Sequence, residues 1–580
     1  MSRTLFRYIF KDLFRIFMMA SGAMAGIMSF GGLLRPLTRE GLDAGQVARM
    51  LAYFGPAMTT YSFPVAALFA TAVVYGRLAA DNELTACKAG GMSLLSFTVS
   101  GPALVLGLIV AIASLLFLCF IVPAYTLKVE QVIYSNLARM IESRIERLHR
   151  IDMGQSTIFA QEAHVIPPGP DTPRGQQQVE LIGPEIISEE RDPHDRTMHI
   201  PKEFYTATRA FVYIDPLPGG QEVSVMIRLT GGFKFPRRFQ DATNAGVEET
   251  WYGPIELPSP IKEDVKFMNV FRLKDMYDDL SKSRRIQAVL GDFVKNGERQ
   301  YFVGDMIRDL RGPSHQAVFR FDNDNSYTLG TEDPNVVAAD VNGDVICPYP
   351  PIKPPTVPAG MSPDAVPVHR PVVFRQRKKG QGTLIVHAAS VSVRVRPKVD
   401  AGMADVTVDL RDCLQTMESN GVSAEPVRRE KFTQQFSVPL SEAARELPKR
   451  DIAYFQTPAA KTFGDQSFLE HEKMTVINQI IAESNGRASF AISCLILVMA
   501  GCALGMMFRS GNFLTAFAVS FIPAMMSITL IIAGQRTAGN VPSHFNGHNN
   551  TLQLGLGLIW AGNAVNLVLA IGLLWKLGRR

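Results

Sequence analysis

Six long stretches of this chain contain no Asp, Glu, Lys or Arg: residues 16–34, 50–76 and 89–127 toward the start, and 488–508, 510–535 and 537–575 toward the end. A helix that crosses a bilayer needs about 20 mostly apolar residues, and each stretch supplies them once its polar ends are trimmed. The pattern predicts spans at Ile16–Leu34, Gly55–Tyr75 and about Phe97–Val122, then at Ala488–Phe508, Phe513–Ala533 and about Leu552–Trp575. The 360 residues from Lys128 to Arg487 are too polar to cross. The expected fold is membrane α-helical, with three spans in 1–127, a large inserted β-rich domain in 128–487, and three spans in 488–580.

Within the polar block, period-two alternation marks strands. Thr157–Val165, Ala210–Ile214, Val223–Leu229, Thr383–Val386, Ser390–Arg396 and Asp405–Leu410 are short and rich in Val, Ile, Phe and Thr. The segment Ser390–Arg396 turns Val391, Val393 and Val395 to one face. An antiparallel sandwich or open barrel follows from such strands. The block is entered through a helical stripe, Val129, Ile133, Leu137, Met140, Ile141, Ile145 and Leu148, and left through a second helix over Phe468–Ile481. Helical stretches also fall at Met268–Val294 and Gln300–Leu310, and the proline-rich run Pro348–Pro371 reads as an extended linker.

Whole-chain averages conceal this division: 19% of residues are charged and the mean hydropathy is +0.08. Basic residues near span ends stay on the cytoplasmic side. Arg3, Arg7, Lys11 and Arg15 precede the first span, Arg77 and Lys88 lie between the second and third, Arg509 between the fourth and fifth, and Lys576, Arg579 and Arg580 follow the sixth. Both termini are therefore expected in the cytoplasm and residues 128–487 outside, in a periplasm-like compartment. Arg35, Arg39, Arg49 and Arg536 on the short outer loops run against this bias. The first apolar run is too long for a secretory signal, so an uncleaved span is expected.

Catalytic signatures are missing: the chain has no GxxxxGK[ST], no HExxH and no GxSxG. Asp322-Asn323-Asp324-Asn325 lacks the glycine and glutamate of a calcium loop, and Asp340, Asn342, Gly343 and Asp344 also read as a turn. His544 and His548 sit in a polar loop, and no cysteine lies in a metal-binding pattern. Cys347 and Cys413 are the outer-block pair; a disulfide and two separate buried thiols are both compatible with their spacing. No catalytic residue, metal ligand or cofactor is expected in this chain.

The segment Gly76–Ser93 joins the second and third spans on the inner side. Asp81 suits an N-cap, Leu84–Ala89 favours helix, and Gly90-Gly91 ends it. Such a short helix either rests on headgroups or presents Asp81 and Glu83 to a basic groove on a soluble motor.

Arg77-Leu-Ala-Ala-Asp-Asn-Glu-Leu-Thr-Ala-Cys-Lys-Ala-Gly-Gly-Met-Ser closely resembles the inner-loop signature of the LptF/LptG permeases, also called the YjgP/YjgQ family. Arg7-Tyr8-Ile9-Phe10-Lys11-Asp12 looks like theirs too, as do Glu483 and Arg487, Phe508-Arg509-Ser510-Gly511, and Trp560 with Asn563. The resemblance covers about 1–165 and 465–580. It implies a permease subunit of the ABC transporter that exports lipopolysaccharide from the inner membrane of a Gram-negative-type bacterium. The implied partners are an LptB-like ATPase dimer that uses ATP-Mg, a second LptF/LptG-type chain, an LptC-like bridge component, and lipopolysaccharide or a related glycolipid; no nucleic acid is implied.

Carried onto these residues, the resemblance implies an ATPase-coupling helix at about 78–89 that includes Asp81, Glu83, Leu84 and Lys88, with the acidic Asp81 and Glu83 facing the ATPase. It implies that the first and fifth spans line a lateral gate. Arg35 and Arg39 fit lipid phosphates and equally fit snorkelling anchors. Val393 is the candidate for a lipid path inside a jellyroll-like domain. The outer block exceeds one such domain, so strands before about 235 and after about 380 are expected to form it, with about 238–380 inserted. The alternatives are a membrane-anchored periplasmic scaffold or receptor and a permease of another lipid-exporting ABC system.

Overall fold

The computed structural model describes the chain apart from residues 1, 41–43, 95, 127, 129–136, 154–155, 168, 170–171, 174–175, 192–198, 217–222, 237–245, 258–264, 323–324, 340–343, 350–368, 379–381, 399–401, 420–421, 508–512, 543–549 and 580. Two compact units emerge, Met1–Asp278 with Thr475–Arg580, and Asp279–Met474.

The first unit holds helices α1 (Ser2–Glu40), α2 (Ala44–Ala80), α3 (Glu83–Ala89) and α4 (Gly101–Leu116), the last prolonged by a π-helical turn, Phe117–Ile121. Six helices are long and apolar enough to span: Arg3–Gly31, Leu51–Ala80, Gly101–Thr126, Gln466–Met507, Phe521–Gly539 and Thr551–Arg579. Each overlaps a charge-free stretch of the sequence.

Small residues bring these helices close. Gly501 lies so near α2 that a Cβ would press on Thr71 Oγ1 and meet the Leu68 carbonyl at 2.9 Å, and four residues on a Cβ at Gly505 would meet the Ala72 carbonyl at 2.9 Å. Such spacing lets backbones touch where lipid offers no hydrophobic drive to association.

Helix α5 (Leu137–Leu148) leads from this bundle to an antiparallel sheet of eight strands. They are β1 (Arg150–Met153), β2 (Ser156–Phe159), β3 (Glu162–Ile166), β4 (Gln177–Ile182), β5 (Glu185–Arg191), β6 (His199–Pro216), β7 (Val223–Pro236) and β8 (Gly246–Leu257). The order is β1-β2-β5-β6-β4-β3, with β7 also on β6 and β8 on β7, and the sheet curls as a half-barrel. Its inner face packs Val179, Leu181, Val212 and Ile227 against Ile141 and Ile145 of α5. Glu142 Oε1 accepts from the Val165 N–H at 2.9 Å and fixes α5 on β3.

The second unit is built on α7 (Arg284–Arg311), reached through α6 (Val270–Asp278) of the first. A ten-stranded antiparallel sheet spans Gln316–Pro439 and is the second curled half-barrel. Along β9 (Gln316–Asp322), β10 (Asn325–Thr331), β13 (Val372–Lys378), β14 (Gly382–Ala388), β15 (Ser390–Lys398) and β16 (Met403–Ser419), the inward residues form one core with Phe302, Val303, Met306 and Leu310 of α7.

Several expectations change. The stretch Thr157–Val165 is two strands, β2 and β3, because Ala160 and Gln161 make the turn between them. The helical stretch from Met268 breaks at Asp279, whose carboxylate accepts from Ser281 N–H, and α7 then runs unbroken through Gln300–Leu310. Among the described residues, strands before 235 and after 380 do not pair: the former join β1–β8 and the latter the other sheet. The expected single domain with an insertion at 238–380 is thus divided by strand pairing into two sheets with a core each. Cys347 and Cys413 are separate, buried, free thiols, and burial pushes the Cys413 thiol up to about 11. Most of Pro348–Pro371, part of the Asp/Asn runs and both His544 and His548 lie outside the described residues.

Candidate functional site

The turn between α2 and α3 is Asp81-Asn82, and its conformation depends on Asn82. Asn82 adopts the left-handed conformation, φ 59°, which a short amide side chain tolerates and most residues avoid. The cap position belongs to Asn82 and not, as the sequence suggested, to Asp81, whose N–H closes α2 on the Arg77 carbonyl at 2.9 Å. Residues 78–80 of the expected coupling helix are the end of α2, so the separate helix starts at Glu83. Gly90 ends it, and Gly91 at φ +78° carries the chain away.

Leu84 points into the bundle core with Leu78, Ala79, Leu94 and Val99. Asp81 is exposed, and Glu83 and Lys88 are partly so. Glu83 in the first turn and Lys88 in the last also complement the helix dipole. Two bonds stiffen the surroundings. Tyr75 donates its hydroxyl to the Val99 carbonyl at 2.6 Å, tying α2 to the entry of α4, and Arg77 pairs with Asp12 of α1. The result is an acid-tipped knob anchored by one leucine and continuous with two spans.

A second polar cluster lies among the last three helices, α8 (Gln466–Met507), α9 (Phe513–Gly539) and α10 (Thr551–Arg579). Arg487 and Glu483, one turn apart on α8, are both buried and bonded at 2.8 Å from Nε to Oε1. Gln535 of α9 donates to the other Glu483 oxygen at 2.8 Å. Arg487 Nη2 reaches the carbonyls of Met268 at 2.8 Å and Lys266 at 3.1 Å, beside the turn Val265–Phe267. On the same stretch of α8, Asn563 of α10 donates to Ser489 Oγ and its carbonyl at 2.8 Å, and Trp560 donates to Asn485 at 3.2 Å. Ionisable groups at such depth are costly, so each one finds a partner.

Arg35 and Arg39 fall in α1, and their side chains lie outside the described residues. Val393 does not line an open groove: it is fully buried in the packed core of the second sheet, paired with Val345 and Val408. The sequence marked Glu483 and Arg487 only by resemblance. A charged pair four residues apart at the edge of a charge-free run was the available signal, since spanning helices rarely hold unpaired charge. Among the described residues no group of His, Cys, Asp and Glu could hold a metal ion.

Comparison with curated proteins gives no match. A family model, lipopolysaccharide export system permease LptF/LptG, matches residues 7–164. That segment takes in α1 from Arg7, the inner knob, α4, α5 and the sheet as far as β3; residues 465–580 lie outside it. Over residues 7–164 this chain is similar to the LptF/LptG lipopolysaccharide export permeases.

Proposed function

We propose that the chain is the permease subunit of an ABC transporter that extracts lipopolysaccharide, or a similar anionic glycolipid, from the inner membrane toward the outer membrane. The observation that carries this reading is the Asp81–Ala89 knob, acid-tipped and anchored between two spans, inside the family-matched segment. An LptB-like ATPase dimer docks there, with Asp81, Glu83 and Lys88 at the contact and Leu84 as the anchor. A second LptF/LptG-type chain completes the cavity, and an LptC-like component receives the lipid.

The Arg and Lys residues at the span ends support an orientation with both termini and the knob in the cytoplasm and the two sheets in the periplasm. Closure of the ATPase dimer on ATP pushes the knob. Leu84 and the Tyr75–Val99 bond pass that displacement to α2 and α4 together. Each acyl CH₂ held in the bilayer is worth about 0.8 kcal/mol, so a lipid with several chains leaves only with such work.

Affinity purification of the solubilised chain from its native membrane tests the contact. An ABC ATPase is expected with the wild type and lost with Glu83→Arg, which leaves buried Leu84 in place. An ATPase retained at full yield by Glu83→Arg would remove the knob from the account, and none in either sample would overturn the transporter reading.

A further inference from the structure

The chain leaving the first sheet returns to the bundle at Val265–Met268, where Arg487 holds it by its carbonyls. Buried Val265 and Met268, and Leu273 and Met276 of α6, anchor this segment inward. Its other side is apolar and open: Phe267 and Val270 are exposed, and Phe271 is 71% exposed. A soluble surface seldom shows an aromatic and aliphatic triplet of this kind.

The neighbouring span indicates what covers it. Phe271 lies against Phe120, ring centroids 5.9 Å apart, and Phe120 continues the outward row Leu108, Ile112 and Leu116 of the most apolar span, mean hydropathy 3.1. The level can be read from the same helix. Tyr125, beside Tyr53 at 6.1 Å and under the Lys128 ammonium at 5.2 Å, has the aromatic and cationic character of the headgroup boundary. Phe120 precedes Tyr125 by five residues, which places it about 7 Å deeper at a helical rise of about 1.5 Å per residue. Beyond Phe271, α6 turns polar through Lys274, Asp275 and Asp278 and so leads back toward water.

We infer that Val265–Phe271 is a re-entrant wedge whose Phe267, Val270 and Phe271 insert into the acyl region of the bilayer beside the third span. Arg487, donating from within the bundle, satisfies the carbonyls that such a turn would otherwise leave bare in hydrocarbon. The wedge binds the lipid surface itself, in the stretch of chain that follows the first sheet, and it does not depend on which cargo is carried.

Nitroxide labelling tests this in the full chain in lipid nanodiscs. The background is Cys87→Ser, since Cys87 is the one cysteine of the six that is not buried. A label at Phe271→Cys is expected to collide with oxygen more than with a water-soluble nickel chelate, as a label at Ile112→Cys does. Leu148→Cys, exposed next to the first sheet, gives the aqueous reference. Nickel access at 271 equal to that at 148 overturns the wedge, and so does exclusion of both reagents, which would mean that protein covers the site. Because Phe271 is largely exposed, its replacement leaves the core intact.

Discussion

Arg487→Met lowers the stability of the membrane unit by about 3–5 kcal/mol, the range for a buried ion pair that loses one partner. Glu483 then keeps a buried carboxylate with only Gln535 to stabilise it, and the carbonyls of Lys266 and Met268 lose their donor. The cost comes from stranding the partner more than from the pair's own attraction. Glu483→Gln with Arg487→Met is therefore expected to cost clearly less than the sum of the two single changes. Unfolding of the detergent-solubilised chain by denaturant measures all three proteins, and additive losses would contradict the pairing.

Val393→Asp is expected to unfold the second unit at a cost above about 3 kcal/mol, because it places a carboxylate without partners in an apolar core. The side chain is wholly buried on the same face as Val391 and Val395. One residue along, Arg394 points to the opposite face, where it pairs with Asp409 while about half exposed. Arg394→Ala should cost less than about 1 kcal/mol, as exposed ion pairs do. Limited proteolysis reads the difference: the 279–474 core should be cleaved in Val393→Asp and survive in Arg394→Ala. A resistant core in Val393→Asp would contradict this packing.

The membrane spans were legible because apolar runs and missing charge are both local properties. Even so, the helix that carries the fourth begins at Gln466, well before the predicted Ala488, since the polar helix over Phe468–Ile481 continues without a break into the apolar one. Strand positions such as Val223–Leu229 and Ser390–Arg396 were legible from alternation, but their extents were not. The strands β6 and β7 run on through Lys, Arg and Pro that cross-strand bonding tolerates.

Which strands pair is a long-range choice that no local window contains, and there the reading failed. Val393 looked like the wall of a lipid channel because three valines share a face, but the sequence does not say that α7 covers that face. The knob was legible in outline from Asp81, Glu83 and Gly90-Gly91. Its start was misread because Asn82, and not Asp81, takes the left-handed turn. The Arg487 clasp joins residues more than 200 positions apart and left only a charged pair at a span boundary as its trace.

The central claim is that this chain moves an anionic glycolipid out of the inner membrane. It is tested most directly by depleting the chain from its native cell, separating the two membranes, and measuring how newly made lipopolysaccharide divides between them. The account predicts that the lipid accumulates in the inner membrane as the chain disappears. An unchanged distribution in cells that have lost the chain would contradict it.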